Sequence, residues 1–136
     1  MSDPVWVNEG AVVLANYKAI TAFGGGLGSP PNADRLSGAL QRPQTAYHYR
    51  DPKPDIIELA AIYAYAICKA HAFGDGNKRT AFYTCGIFLN RNGYSFDAPP
   101  WAEAVEFFSR VADDKNTGIT VQDVADWIRQ RTAPIR

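Results

Sequence analysis

Two stretches of the chain are apolar on nearly every helical face. Between Asp55 and His71 only Glu58 and Lys69 are charged, and the middle of the stretch from Asn77 to Asn92-Gly93, Ala81 to Leu89, is apolar almost all round. A helix without a polar face is buried on all sides, so the pattern predicts two central helices. Asp55 suits the N-cap of the first, and Asn92-Gly93 the C-cap of the second. A short break, Ala72 to Gly76, separates them.

The flanking segments are more one-sided. Asn8 as N-cap and Glu9 at the positive helix start open a helix that runs to about Phe23 and stops at Gly24-Gly25-Gly26. Gly24 to Asn32 (GGGLGSPPN) is too rich in Gly and Pro for anything but a loop, and a short helix, about Ala33 to Leu40, follows. From Gln41 to Pro54 three prolines argue against a long helix, and Thr-Ala-Tyr-His-Tyr favours an extended piece. Pro99-Pro100 leads into a helix from about Trp101 to Ala112, whose Trp101, Ala104, Val105, Phe108 and Val111 keep helical spacing. Asp113 to Gly118 reads as a polar turn, and Thr120 with Asp123 as a capping box for a last helix ending near Arg131. Strand signals are weak throughout. The expectation is an all-α bundle of about six helices forming one domain over residues 1–136.

Composition narrows the function classes. The chain is 46% apolar and 21% charged, with 14 Lys plus Arg against 14 Asp plus Glu. A net charge of zero argues against a nucleic-acid coat or a polybasic membrane anchor. Cys68 and Cys85, both in apolar helical segments, read as buried hydrophobes rather than a disulfide or a zinc site. The N-terminus lacks a basic region followed by an apolar one, and the longest apolar uncharged run, Leu59 to Cys68, is about half of what spans a bilayer. A soluble cytoplasmic protein is expected. Trp101, Phe107 and Trp127 read first as core and second as a groove for a partner.

The break between the central helices holds the candidate chemistry: His71-Ala72-Phe73-Gly74-Asp75-Gly76-Asn77-Lys78-Arg79-Thr80. Gly76 and Asn77 stand where a loop enters a helix, so unpaired backbone N–H groups and the helix dipole favour phosphate there. Gly76 permits close backbone approach or positive φ. Lys78 and Arg79 add two cations, and Arg grips phosphate by a fork. Asp75 is a hard oxygen ligand suited to Mg²⁺ bridging phosphates. His71 is a candidate general base near neutral pH. Phe73 would pin the loop to the core. Taken singly, each feature has a plainer reading: a helix-capping His, a solvated Lys-Arg pair, an ordinary Asp-Gly turn. His71 and Asp75 alone are too few for a zinc site.

Taken together, these residues match every specified position of the Fic-domain signature, H-x-F-x-[DE]-[GA]-N-x-R. The chain further resembles the Doc (death on curing) toxin branch of the Fic/Doc family, through Asn77-Lys78-Arg79-Thr80-Ala81 and Phe88-Leu89-Asn90-Arg91-Asn92-Gly93. Two positions depart from the adenylylating Fic pattern. Lys78 replaces a Gly, and Phe82 replaces a second Arg. Doc-like proteins share the Lys and lack that Arg, and their nucleotide lies with its γ-phosphate toward the His.

The resemblance implies a Fic/Doc fold, with the central helices flanking the active loop and room for a short β flap. It implies a Mg²⁺-dependent protein kinase that transfers the γ-phosphate of ATP to a hydroxyl of elongation factor Tu and so blocks translation, with no direct nucleic-acid or membrane contact. His71 would deprotonate the hydroxyl, and Asp75 would hold the metal. Gly76 and Asn77 would form the anion nest, Asn77 also through its side chain, while Lys78 and Arg79 neutralise phosphate charge. Fic-type adenylyl transfer and a non-catalytic nucleotide- or partner-binding module are the alternatives. No [ST]-x-x-x-E-[GN] inhibitory run occurs, since Val5 stands four residues before Glu9 in Asn8-Glu9-Gly10. The resemblance therefore implies control in trans by a small antitoxin. By position, Gln41 to Tyr49 is the candidate flap that aligns the target chain by strand addition.

Overall fold

The computed structural model describes residues 3–22 and 30–135. The expected stop after Phe23 and most of the Gly-rich loop lie outside them. Among the described residues are seven helices: α1 Glu9–Thr21, α2 Ala33–Tyr49, α3 Ile56–Ala70, α4 Asn77–Arg91, α5 Trp101–Ala112, α6 Asp114–Thr117 and α7 Val121–Arg129. Two three-residue strands, β1 Tyr94–Phe96 and β2 Thr132–Pro134, pair antiparallel with Tyr94 opposite Pro134 and Phe96 opposite Thr132. The all-α expectation holds, with a minimal sheet added.

The two central helices stand where the apolar pattern put them. Asp55 and Glu58 close a capping box at the start of α3, and His71 is its C-cap. This helix packs against α2, α4, α5 and α7, and residues from Leu59 to Ala64 are buried on successive faces. On α4, Ala81, Cys85, Phe88 and Leu89 are fully buried. The core runs between them: the Tyr63 ring lies 5.0 Å from that of Phe88, and its buried hydroxyl accepts the Val7 N–H at 3.1 Å. Cys68 and Cys85 are free and buried. No helix among the described residues is long and apolar enough to cross a membrane.

One expectation fails clearly. Gln41 to Tyr49 is not extended; it is the second half of α2, with Pro43 inside the helix. Pro43 removes one ladder hydrogen bond and costs about 3 kcal/mol in an exposed helix interior. Here Leu36, Ala39, Leu40, Pro43, Ala46 and Tyr47 are all buried, at the spacing of a single helical stripe. Burial of that stripe against α3 outweighs the proline penalty, and the helix stops only before the Asp51-Pro52 and Lys53-Pro54 pairs. A helical backbone bonds to itself, so this segment offers no strand edge to a target. The flap assignment at Gln41–Tyr49 is therefore wrong. The Asp113–Gly118 turn likewise contains the one-turn α6.

Trp101, Phe107 and Trp127 pack against the core as their first reading had it. Phe107 stacks on Trp127 at 4.9 Å and 5°, and Phe82 and Phe108 join the same aromatic cluster.

Candidate active site

Helix α3 ends because His71 adopts the left-handed conformation, φ 49° and ψ 44°. A non-glycine residue there costs about 1 kcal/mol or more, so neighbouring groups must hold it. They come from the start of α2. Asn32 donates its N–H to the Ala72 carbonyl at 2.7 Å, and Arg35 Nη1 donates to the His71 carbonyl at 3.3 Å. The His71 side chain stays exposed.

The loop is then sewn down from both sides. Phe73 is 5% exposed and belongs to the core, as its apolar ring predicted. Its N–H donates to Asn77 Oδ1 at 3.1 Å, and its carbonyl accepts from Asn77 Nδ2 at 2.9 Å. The Asn77 amide thus fixes the loop first, and one N–H of its Nδ2 group is already committed to Phe73. Gly76 has φ +74°, and a Cβ there would stand 3.3 Å from Asn16 Nδ2. Both the torsion and the close approach require glycine.

Asn16 and Thr80 complete the fastening. Buried Asn16, on α1, donates Nδ2 to the Asp75 carbonyl at 2.9 Å and to Thr80 Oγ1 at 3.1 Å. Thr80 Oγ1 in turn donates to the Gly76 carbonyl at 2.7 Å. Neither residue stood out among the functional candidates. The signal was present: Asn16 shares its helical stripe with Val12, Ala15 and Ala19, where a polar side chain needs a partner. Asn16→Ala is expected to lower unfolding free energy by about 1–3 kcal/mol, the cost of removing the donor to the part-buried Asp75 carbonyl and the buried Thr80 hydroxyl. Urea denaturation measures this, and an unshifted midpoint would remove Asn16 from the role.

The first turn of α4 has no side-chain cap among the described residues. The helix dipole favours an anion at this end. Asp75 is exposed and its Oδ1 accepts the Gly76 N–H at 2.8 Å. Lys78 is exposed, whereas Arg79 is partly buried, donates Nε to Tyr83 Oη at 2.6 Å and packs near the Trp101 ring. His71, Asp75, Gly76, Asn77, Lys78 and Arg79 all line one cavity of about 310 Å³. All six expected site residues are thus brought together. Its opposite wall, Cys68, Trp101, Val105 and Ala112, comes from α3 and α5. Burial pushes the Cys68 thiol up to about 12, so it is a neutral wall rather than a nucleophile.

The mouth is braced where α5 ends. Lys69 forms an ion pair with Asp114 and also donates to the Ala112 carbonyl at 3.2 Å, while Tyr65 donates its hydroxyl to the same carboxylate. These two hydrogen bonds hold Asp114 below the usual carboxylate range.

No group of three or more His, Cys, Asp or Glu side chains able to hold a metal occurs among the described residues. A single carboxylate in a cationic cavity does not make a zinc cage. It does fit Mg²⁺, which takes one or two carboxylates and fills its octahedron with phosphate oxygens and water.

Residues 6–89 match the Fic/DOC family. The chain is 35% identical over 115 residues to protein kinase doc of Escherichia phage P1, covering 82% of this chain and 82% of that protein. It is 36% identical over 77 residues to toxin Doc of Mycolicibacterium smegmatis, covering 57% of this chain and 58% of that protein.

Proposed function

This chain belongs to the Fic/Doc family, and from that membership we propose that it is the toxin of a toxin–antitoxin pair and a protein kinase acting on elongation factor Tu. The observation that carries phosphate rather than AMP transfer is the placement of Phe82. Where the adenylylating pattern has a second arginine, this ring is 6% exposed and packed against Trp101 and Phe108. A side chain at that position belongs to the core, so among the described residues lining the cavity Lys78 and Arg79 supply the lysine and arginine charge, beside the start of α4.

The chemistry follows from those groups. His71 accepts the proton of the target hydroxyl as its oxygen forms a bond to the γ-phosphorus, and the bridging P–O bond to the β-phosphate breaks to release ADP. The N–H groups of α4, with Lys78 and Arg79, face the charge that spreads over the phosphate oxygens. Mg²⁺ held by Asp75 would supply further neutralisation of those oxygens when bound. The fixed loop keeps His71 and the phosphate nest in one geometry, which is where most of the rate enhancement of phosphoryl transfer arises.

A second groove supports the reading of control in trans. A groove of about 690 Å³ between α1 and α4 is lined by Leu14, Ile87, Phe96 and other apolar groups, together with Lys18 and Arg91. Leu14 in the groove is 54% exposed, and Tyr17, which precedes Lys18 on α1, is 43% exposed. An amphipathic antitoxin helix with acidic flanks would bury this surface.

Paired labelling tests the proposal. The protein is incubated with Mg²⁺, a bacterial lysate and ATP labelled at either the γ- or the α-phosphate. A band of elongation-factor size labelled only from the γ-position is the expected result. Label entering only from the α-position overturns phosphate transfer in favour of adenylylation.

A further inference from the structure

The cavity beside His71 has two chemically different halves. One is built by His71, Asp75, Lys78 and Arg79 at the start of α4, the other by Trp101, Val105 and Ala112 on α5. Phosphates and a divalent cation use only the first half. An indole and a valine facing a hydrated triphosphate would gain nothing, so a ligand filling both halves carries an anionic end and a flat apolar end.

Trp101 is built as a fixed surface. Pro99-Pro100 precede it, and it is the first residue of α5. Its ring lies 5.5 Å from that of Phe82 and 6.1 Å from that of Phe108, both buried. The remaining part of the side chain opens into the cavity. The Arg79 guanidinium carbon stands 5.8 Å from the indole centroid, and Arg79 is tethered to Tyr83 by its Nε–H. A phosphate-binding cation thus lies over the indole ring, within the span of one nucleotide.

Given the nucleotide chemistry proposed above, we infer that Trp101 is the platform on which the nucleobase stacks, with Val105 closing its edge, and that this makes the site select purine nucleotides. A larger fused ring covers more of the indole than a pyrimidine does. Affinity therefore divides between the phosphate half, which is blind to the base, and the Trp101 half, which reads its area. Stacked area sets the preference, so ATP and GTP bind alike and CTP and UTP more weakly.

The test is calorimetric titration of the whole chain with Mg·ATP, Mg·CTP and Mg·tripolyphosphate, for the wild type, Trp101→Leu and Trp101→Phe. The wild type is expected to bind ATP about tenfold more tightly than tripolyphosphate, with CTP between them. Trp101→Leu brings ATP down to the tripolyphosphate level and leaves tripolyphosphate unchanged, which also shows an intact phosphate half. Trp101→Phe, which preserves the aromatic packing, retains most of the preference. Unchanged ATP affinity in Trp101→Leu overturns the platform, as does an equal loss for ATP and tripolyphosphate. A wild type that binds neither ATP nor tripolyphosphate overturns the nucleotide chemistry itself, a distinct outcome from failure of the platform alone.

Discussion

Alanine at position 71 is expected to slow phosphoryl transfer to the target by about 10²–10⁴-fold, the range lost with a positioned general base, while ATP affinity stays at the wild-type value. The separation follows from the geometry. The imidazole is exposed at the cavity, and its backbone is held by Arg35 and, one residue on, by Asn32. Both clamps act on main-chain groups, so removing the imidazole leaves the α3–loop corner and the α4 phosphate nest in place. Alanine also bears the left-handed torsion of His71 at similar cost. Single-turnover rates with saturating Mg·ATP report the chemical step directly, and calorimetry reports binding. A variant that loses affinity and rate in parallel would make His71 a phosphate ligand instead of a base. One that retains the full rate would exclude it from the chemistry.

The second large effect is structural. Phe73→Ala is expected to lower unfolding free energy by about 3–5 kcal/mol, as for other fully buried phenylalanines. It should also weaken Mg·ATP binding more than the stability loss alone explains. Phe73 is the apolar anchor of the loop, and its own N–H and carbonyl are the two groups that Asn77 holds. Without the ring, the loop loses its seat in the core and Asn77 loses a fixed partner. The nest between Asp75 and Arg79 then spends time in other conformations, and apparent affinity falls by the fraction that is competent. Urea denaturation gives the first quantity, and titration well below the unfolding transition gives the second. Wild-type ATP affinity in a destabilised Phe73→Ala protein would show that α4 alone forms the nest.

The candidate active segment was legible because its parts are neighbours in the chain. His71 to Arg79 lie across one short break between two helices, so local geometry alone brings a helix C-terminus, a loop and a helix N-terminus into one corner. Asp55 and Asn92-Gly93 marked the outer ends of those helices, and their all-round apolar surfaces marked them as central. Phe73 as loop anchor and Gly76 at positive φ followed from side-chain size and backbone sterics, which need no knowledge of distant residues.

What fastens and completes that corner was settled only in three dimensions. Pro43 was a sound reason to end a helix near Leu40, yet α2 continues because tertiary burial of six residues on one stripe exceeds a local penalty. Asn32 and Arg35 carry no signature of their own, and the buried stripe around Asn16 shows only that it needs some partner; their partners are backbone groups of Ala72, Asp75 and His71, between 36 and 59 residues away for the two side-chain bonds. Trp101 and Val105 reach the cavity only because α5 packs across α4, and β1 meets β2 only after three further helices have intervened. The sequence by itself therefore determined the two central helices, their outer caps and the candidate reactive run, since torsional preference, periodicity and capping act within a few residues. The tertiary structure decided which distant polar groups hold the loop and which apolar wall faces it, since both depend on burial shared among elements that chain spacing does not bring together.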